Sequence, residues 1–243
     1  MQVDILAVLA HPDDAELSCS GMLISEKRKG KKVAIVDITE GELGTRGTPE
    51  TRKAEADAAT DVMGIDAREN LALPDGFFVN DKEHQLAIIA AIRKYRPTIV
   101  VTNAPADRHP DHGRAATLVR DAAWLCGLRK IRTTSADAME QMPWRPAYVF
   151  HCVQDRYLQP TFVYDISAAM GTKIEAIKAF KTQFDTLPDD EPQTYISTPE
   201  FLQSIIDRAR MFGKMIGVPY AEGFISEKML GVSSLDAFVQ NVT

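Results

Sequence analysis

The chain has 243 residues, of which 45% are hydrophobic, so it is long enough to bury a large core. It carries 28 Lys and Arg against 34 Asp and Glu, a formal net charge of -6, and its one basic cluster, residues 27–32, is broken by a glycine. This balance argues against nucleic acid or an anionic membrane as the main partner.

No uncharged apolar run approaches the ~20 residues that span a bilayer, and the first residues do not resemble a signal peptide. The three cysteines, Cys19, Cys126 and Cys152, are odd in number and form no Cys-x-x-Cys pair. We therefore expect free thiols, neither a disulfide framework nor a thiolate metal site, and a cytoplasmic protein.

Along the chain, short runs rich in Val and Ile alternate with segments of helical periodicity. The runs mostly lack the in-out alternation of half-exposed strands, which is typical of a sheet covered on both faces. The predicted strands are Ile5–Leu9, Lys32–Ile38, Thr98–Thr102, Tyr148–Val153 and Phe162–Ile166.

The first well-marked helix is predicted to begin at Thr48, as N-cap, with a proline at the first helical position, and to end at Gly64. Its expected buried stripe is Ala54, Ala58 and Val62. Three later stripes predict further helices: Ile88, Ile92 and Tyr95; Leu118, Ala122 and Leu125; and Leu202, Ile205, Ala209 and Phe212, the last after Thr198-Pro199. The acidic stretch 186–197, with two prolines, is predicted to be a long loop bordering a site.

This order of elements predicts one domain over residues 1–243, with an α/β fold. We expect a Rossmann-like, doubly wound, mostly parallel sheet with helices on both faces. In such sheets ligands bind outside the carboxyl ends of the strands. The turns that follow the strands are therefore the places to look for chemistry.

The turn after the first strand reads His11-Pro12-Asp13-Asp14. A dinucleotide-binding turn would carry the glycines of G-x-G-x-x-G, and two carboxylates would repel a pyrophosphate. A Rossmann-type nucleotide binder is therefore disfavoured. One imidazole and two carboxylates suit a divalent cation instead.

A second motif, residues 107–112, follows the strand that ends near Asn103 and reads Asp-Arg-His-Pro-Asp-His. Three of the five histidines in the chain thus lie at two loops on one edge of the predicted sheet. Taken singly, Asp14 or Asp111 could be a helix cap and each histidine a surface group. Together, imidazoles and carboxylates favour zinc, which in catalytic sites takes three protein ligands and leaves a position for water.

At these residues the sequence resembles the LmbE-like (PIG-L) family of zinc-dependent N-acetylglucosamine deacetylases, which carry His-Pro-Asp-Asp after the first strand and His-x-x-His further on. Four segments, 41–48, 70–76, 107–112 and 220–224, are similar to the branch of bacillithiol biosynthesis. Enzymes of that branch deacetylate N-acetylglucosaminyl-malate, and others act on other N-acetylated sugars or thiol conjugates. Relatives often form trimers or hexamers, so the resemblance also implies a homo-oligomer.

The resemblance implies that His11, Asp14 and His112 hold one Zn²⁺ per chain, although other divalent transition metals suit the same donors. It implies that Asp13 is the general base. A protonated His109 would stabilise the oxyanion or move a proton.

Three further positions concern the substrate. Arg52 matches a substrate-binding arginine of the family; the alternative is a surface arginine paired with Glu55. Phe201 stands where some relatives have a tyrosine near the oxyanion, which leaves that part of the site open, with Tyr195 close by.

The two carboxylates of malate need donors, and Arg46 and Arg108 are the natural candidates because a guanidinium binds a carboxylate through two hydrogen bonds. Two other functions remain open at this point. One is a deacetylase or amidase of another N-acetylated sugar or thiol conjugate. The other is a non-catalytic metal- or sugar-binding module, which would have no need of Asp13. In each case the partner is a small molecule.

Overall fold

The computed structural model describes residues 1–185 and 192–235. The strands are β1 Ile5–Leu9, β2 Val33–Asp37, β3 Ala67–Asn70, β4 Ile99–Thr102, β5 Tyr148–Cys152, β6 Phe162–Asp165 and β7 Ala221–Ser226. The helices are α1 Asp14–Ser18, α2 Ser20–Arg28, α3 Pro49–Met63, α4 Lys82–Tyr95, α5 Pro110–Leu125, α6 Met170–Lys178, α7 Lys181–Phe184 and α8 Pro199–Ile216, with a 3-10 turn at Tyr195–Ser197.

The strands form one sheet in the order β3-β2-β1-β4-β5-β7-β6. Pairing is parallel from β3 through β5, and β7 runs antiparallel to both of its neighbours. The predicted α/β fold with a mostly parallel sheet is confirmed, and the five predicted strands end within one residue of the observed ones. Two strands were not predicted: β3, which reads Ala-Arg-Glu-Asn at the edge of the sheet, and β7, which contains a buried glutamate.

Helices cover both faces of the sheet, as predicted. Side chains of β1 alternate between the two faces, because successive residues of a strand point in opposite directions. Leu6 and Val8 pack in one core with α4 and α5, whereas Ala7 and Leu9 pack in the other with α1, α2, α3 and α6. No helix in the described ranges is long and apolar enough to cross a membrane.

Helix α3 has the predicted ends but not the predicted buried face. The Thr48 side chain accepts a hydrogen bond from the amide of Thr51, and Gly64 ends the helix in the left-handed conformation. The expected stripe, however, is exposed, and Val62 keeps 40% of its surface in solvent. The buried face instead consists of Arg52, Ala56, Ala59 and Met63. The prediction was wrong because a buried arginine does not count as apolar in the pattern.

The three later stripes are largely confirmed. The stripes of α4 and α5 are buried, apart from a half-buried Leu125. In α8, Ile205, Ala209 and Phe212 are buried and Leu202 partly so. Of the predicted loop 186–197, residues 186–191 lie outside the described ranges, and the remainder ends in the 3-10 turn.

The connections explain where a ligand can bind. After β1 the chain moves outward to β2 and β3, then crosses back to form β4 on the other side of β1. The two connections therefore diverge at the carboxyl ends of β1 and β4, which opens a crevice there. The amide of Ala10 donates to Asn103 Oδ1 at 2.8 Å and ties the two strand ends together.

Candidate metal centre and cavity

A cavity of about 420 Å³ opens at the carboxyl edge of the sheet. Its wall includes every residue that the sequence assigned to metal binding, catalysis or substrate binding. These residues are His11, Asp13, Asp14, Arg46, Arg52, Arg108, His109 and His112. The fold thus brings together side chains that lie about a hundred positions apart in the chain.

The turn after β1 directs two adjacent carboxylates to different partners. Asp13 has a φ of 122°, a backbone conformation that side chains other than glycine rarely adopt. Helix α1 begins directly afterwards, so Asp14 faces the histidines while Asp13 faces Arg52. The strained turn therefore separates one carboxylate from the cluster that could bind a metal.

Asp14 is held in place by polar groups from two other strand ends. Its Oδ2 accepts from the amide of His11 and from Asn103 Nδ2, both at 3.0 Å, and its Oδ1 accepts from Gln154 Nε2 at 3.1 Å. His112 Nε2 lies 3.1 Å from Oδ1, and His11 Nδ1 lies 3.5 Å from Oδ2. Asp14 therefore stands between the two imidazoles.

Each of these imidazoles has a carboxylate behind it. His112 Nδ1 lies 2.5 Å from Asp107 Oδ2, and His11 Nε2 lies 3.0 Å from Asp75 Oδ1 and 3.3 Å from Asp111 Oδ2. If these nitrogens donate to the carboxylates, His112 Nε2 and His11 Nδ1 are left to face Asp14. Metal-binding histidines in proteins are oriented in this way by an outer carboxylate.

The charges of the cluster are strongly coupled. Burial alone would lower the pKa of His112, but Asp14 and Asp107 raise it to about 9. Likewise burial would lower the pKa of His11, whereas its hydrogen bonds to Asp111, Asp14 and Asp75 raise it well above its usual value. Burial would raise the pKa of Asp14, but the two histidines hold it well below its usual range. Without a cation, the histidines themselves supply the positive charge.

The donor set suits a divalent transition metal, and more than one set of three exists in the described part of the chain. Ring nitrogens of His11, His109 and His112 lie within 4.8 Å of one another, and so do donor atoms of His11, Asp75 and Asp111. In the second set both carboxylates already accept from His11 Nε2, which gives them the outer role. Imidazole and carboxylate groups that lie close together are among the donors that bind zinc in proteins.

Asp13 lies apart from the histidines, in contact with a buried arginine. Arg52 Nη2 lies 3.1 Å from Asp13 Oδ2 and also donates to the carbonyl of Pro12 at 2.6 Å. Burial raises the pKa of Asp13 to about 7, although the charge of Arg52 opposes the rise. The alternative pairing of Arg52 with Glu55 is wrong, because Glu55 accepts from Thr182 instead.

The Gly-rich segment explains how Arg52 reaches this position. A Cβ on Gly41 would lie 2.5 Å from Arg52 Nη1, and Gly41 itself has a φ of +67°. A side chain here would therefore displace the guanidinium that contacts Asp13. Glycine is required for close approach as well as for the turn.

His109 is the N-cap of α5, and its Nδ1 accepts from the amide of Asp111 at 3.3 Å. Its ring lies 4.7 Å from that of His11 and 5.3 Å from that of His112, measured between centroids. Burial and the charges of those two rings lower the pKa of His109. A neutral ring that accepts at Nδ1 carries its proton at Nε2, and the lowered pKa favours this neutral form over the protonated ring expected from the sequence.

Two arginines predicted to bind substrate, Arg46 and Arg108, already have partners within the protein. Arg46 is buried and donates to the carbonyl of Asp185 at 3.0 Å. Arg108 pairs with Asp155 at 3.3 Å and lies over the ring of Tyr195, 4.2 Å from its centroid. Phe201 lines the cavity and packs edge-on against Tyr195, whose hydroxyl donates to Asp155. A hydroxyl thus stands at the cavity wall although Phe201 has none.

Sequence reasoning missed several residues of the site. Asp75 follows the unpredicted strand β3, and Asp107 lay within a quoted motif but received no role. Gln154 follows β5, and Arg208 lies in α8 on the cavity wall. The position of Gln154 after a predicted strand was the one signal that could have indicated it.

The chain is similar to a known family model, to named deacetylases and to a solved structure. The family model described as PIG-L, GlcNAc-PI de-N-acetylase, matches residues 6–123, which contain both histidine motifs. A diacetylchitobiose deacetylase of Thermococcus kodakarensis is 27% identical over 229 residues, 90% of this chain and 81% of that protein. A probable N-acetyl-α-D-glucosaminyl L-malate deacetylase 2 of Bacillus subtilis is 28% identical over 197 residues, 75% of this chain and 84% of that protein. A solved conserved protein of Thermus thermophilus has a TM-score of 0.84 at 35% identity, over 96% of this chain and 98% of its own.

Proposed function

The chain belongs to the PIG-L family of de-N-acetylases, and we propose that it is a zinc-dependent hydrolase that removes the acetyl group from an N-acetylglucosamine conjugate. The observation that carries this proposal is that the two adjacent carboxylates of the turn after β1 contact different partners. Asp14 lies between two imidazoles, while the adjacent Asp13 is free of them and contacts Arg52.

In this proposal His11, Asp14 and His112 hold the metal. A zinc ion there would supply Lewis-acid chemistry, which polarises an amide carbonyl and makes water more acidic. Asp107 behind His112, and Asp75 and Asp111 behind His11, keep the two rings oriented toward the ion.

Asp13 acts as the general base. A carboxyl with a pKa of about 7 can accept a proton from the attacking water at neutral pH and then return it to the leaving amine. The C–N bond breaks as the amine takes this proton, and acetate and the free amino sugar are the products. Arg52 fixes the position of the carboxylate and keeps it from pairing elsewhere.

His109 stabilises the oxyanion. Its Nδ1 is occupied by the amide of Asp111, so the Nε2 proton is available to an oxygen that develops negative charge in the cavity. The role does not require a protonated ring, and it agrees with the lowered pKa of His109.

We further propose that the substrate is N-acetylglucosaminyl-malate, as in bacillithiol biosynthesis. The Bacillus subtilis relative is named for that substrate, and arginines surround the cavity. Arg46 and Arg108 would bind malate carboxylates. The Thermococcus kodakarensis relative, named for diacetylchitobiose, favours a neutral sugar as the second candidate.

An amine-release assay with N-acetylglucosaminyl-malate, diacetylchitobiose and free N-acetylglucosamine tests the proposal. Each is measured on the purified protein, after chelation and after reloading with zinc, with metal content determined alongside. We expect release that is lost on chelation, restored by zinc, and fastest on the malate conjugate. Undiminished release by metal-free protein would contradict the metal-dependent mechanism, and faster release from diacetylchitobiose would favour the second candidate.

A further inference from the structure

Arg208 lies on α8 at the boundary between two cavities. It lines the large cavity that contains the histidines and also a smaller one, which the buried pair of Lys173 and Glu222 lines as well. Lys173 Nζ lies 2.8 Å from Glu222 Oε1 and donates to the carbonyls of Glu16 and Leu17. This pair is complete without Arg208, so the guanidinium is not needed to neutralise it.

Arg208 differs from the other arginines of the cavity in its partners. Arg52 pairs with Asp13, Arg108 with Asp155, and Arg46 donates to a backbone carbonyl. Over residues 1–185 and 192–235, Arg208 has neither a carboxylate within 4.0 Å nor a hydrogen bond. Among these residues, its guanidinium therefore has no ion-pair partner at the cavity wall.

Two carboxylates whose charges act on Arg208 are already engaged by other groups. Asp155 and Asp107 are the carboxylates that act most strongly on Arg208. Asp155 Oδ2 pairs with Arg108 and its Oδ1 accepts from the Tyr195 hydroxyl. Asp107 Oδ2 faces His112 and its Oδ1 accepts from the amide of Arg156. Among the described residues, Arg108 and Arg208 thus have the single carboxylate of Asp155 between them, because Asp107 faces His112.

Loss of part of its water disfavours the charged guanidinium of the half-buried Arg208, and burial accordingly lowers its pKa. An anion in the cavity would relieve this cost, because a guanidinium binds a carboxylate through two charged hydrogen bonds. The charge faces a space large enough for a ligand rather than a closed core.

We propose that Arg208 is a specificity-determining residue that, with Arg108, binds a carboxylate on the group attached to the N-acetylated sugar. This inference rests on the proposed function, because it concerns the same cavity and the same substrate. It places the anionic part of the substrate on the α8 side, away from Arg52, whose charge is committed to Asp13.

The test compares R208Q and R208K with R210Q. Arg210 lies two residues further along the same helix. It is exposed and pairs with Asp207, so R210Q controls for loss of an arginine from α8. We expect R208Q to lower kcat/KM for N-acetylglucosaminyl-malate by about 10- to 100-fold, mainly through KM, because charged hydrogen bonds are lost. The loss on diacetylchitobiose should be at least about tenfold smaller, R208K should lie between, and R210Q should match the wild type.

A binding measurement separates this inference from the proposed reaction. Calorimetric titration of the malate conjugate into zinc-loaded D13N and D13N/R208Q requires no turnover, and we expect the second to bind about 10- to 100-fold more weakly. Absence of amine release by the wild type would refute the deacetylation alone. Equal affinity of the two variants, no binding to D13N, or an equal loss on both substrates would overturn the role of Arg208.

Discussion

Two clusters of buried charge flank the turn after β1, and they are built in opposite ways. The salt-bridge triad consists of Arg68, Glu16 and Asp37. Arg68 Nη1 lies 2.6 Å from Glu16 Oε1, and its Nε and Nη2 lie 2.7 and 3.0 Å from the two oxygens of Asp37. In the candidate metal centre, by contrast, His11 contacts three carboxylates and Asp14 faces two imidazoles.

The difference separates a structural cluster from one that can bind and react. In the triad one guanidinium, which keeps its proton at any ordinary pH, has short bonds to two buried carboxylates. In the metal centre the positive charge comes from protons on His11 and His112, which a cation can replace. We therefore expect substitutions in the triad to change stability and substitutions in the metal centre to change metal binding and turnover.

The largest effect is expected for His112→Ala. Loss of one of three proposed ligands should reduce metal content to a small fraction of one equivalent and amine release to background. Metal analysis of the purified variant, with circular dichroism to establish folding, provides the measurement. His84→Ala, outside the cavity, is the control. Full zinc occupancy in His112→Ala would remove this residue from the ligand set.

Asp13→Asn should retain the metal and lose turnover by roughly 10²–10⁴-fold, the usual contribution of acid-base catalysis. Asparagine tolerates a positive φ better than most residues, so the turn should survive the change. Steady-state kinetics with metal analysis measures both properties, and Asp57→Asn on the exposed face of α3 is the control. A loss of less than about tenfold would contradict the assignment of the general base.

Arg68→Met tests the triad. Removing one partner of a buried ion pair leaves an uncompensated charge and typically costs about 3–5 kcal/mol of unfolding free energy. Lys53→Met breaks the exposed pair with Asp57 and should cost no more than about 1 kcal/mol. Denaturant unfolding gives both values. If Arg68→Met had normal stability but lost the metal, the claim that the triad serves stability and not metal binding would be wrong.

The affinity for zinc should rise with pH. His112 must be neutral to bind a metal, and its pKa of about 9 means that binding releases its proton at every pH below that value. His11, with its pKa also raised, adds a second proton. We expect the apparent Kd to fall by about tenfold or more per pH unit between pH 6.5 and 8, in titrations against a competing chelator. A Kd independent of pH would contradict these charge states.

The smallest effects are expected at two other arginines of the cavity wall, where Arg46→Ala and Arg108→Ala should raise KM for the malate conjugate by about 3- to 10-fold. Arg108 already pairs with Asp155, as in a structural ion pair, but it also lines the cavity, where a ligand can reach it. Saturation curves on malate and neutral substrates, with Arg120→Ala as the exposed control, measure the effect. An unchanged KM in both variants would remove these arginines from the substrate site.

The sequence predicted the parts of the molecule that are continuous along the chain. Apolar strands and the turns that follow them were found because burial on both faces leaves a plain run of Val and Ile. Since the carboxyl ends of parallel strands share one edge, the two histidine motifs could be placed together before the structure was known.

Other parts depend on contacts that no local pattern records. Strand β3 is polar because Arg68 is neutralised across the sheet by Asp37, and the wrong face of α3 was chosen because Arg52 is buried by its contact with Asp13. Asp75 lies in segment 70–76, which resembles the family branch but received no role, and Arg208 reaches the cavity from a helix whose sequence carries no metal or active-site motif. The sequence predictions therefore failed mainly where a charged side chain is buried.

The backbone at Asp13 has a bearing on how related chains diverge. Its φ of 122° costs a side-chain-bearing residue roughly 1–3 kcal/mol, a cost that glycine would not incur. Selection for stability alone would favour glycine at this position, whereas the proton-acceptor role proposed for Asp13 opposes that exchange. On this proposal, a descendant that bound a metal but no longer hydrolysed amides could carry glycine there, and the residue at this position would differ between catalytic and non-catalytic relatives.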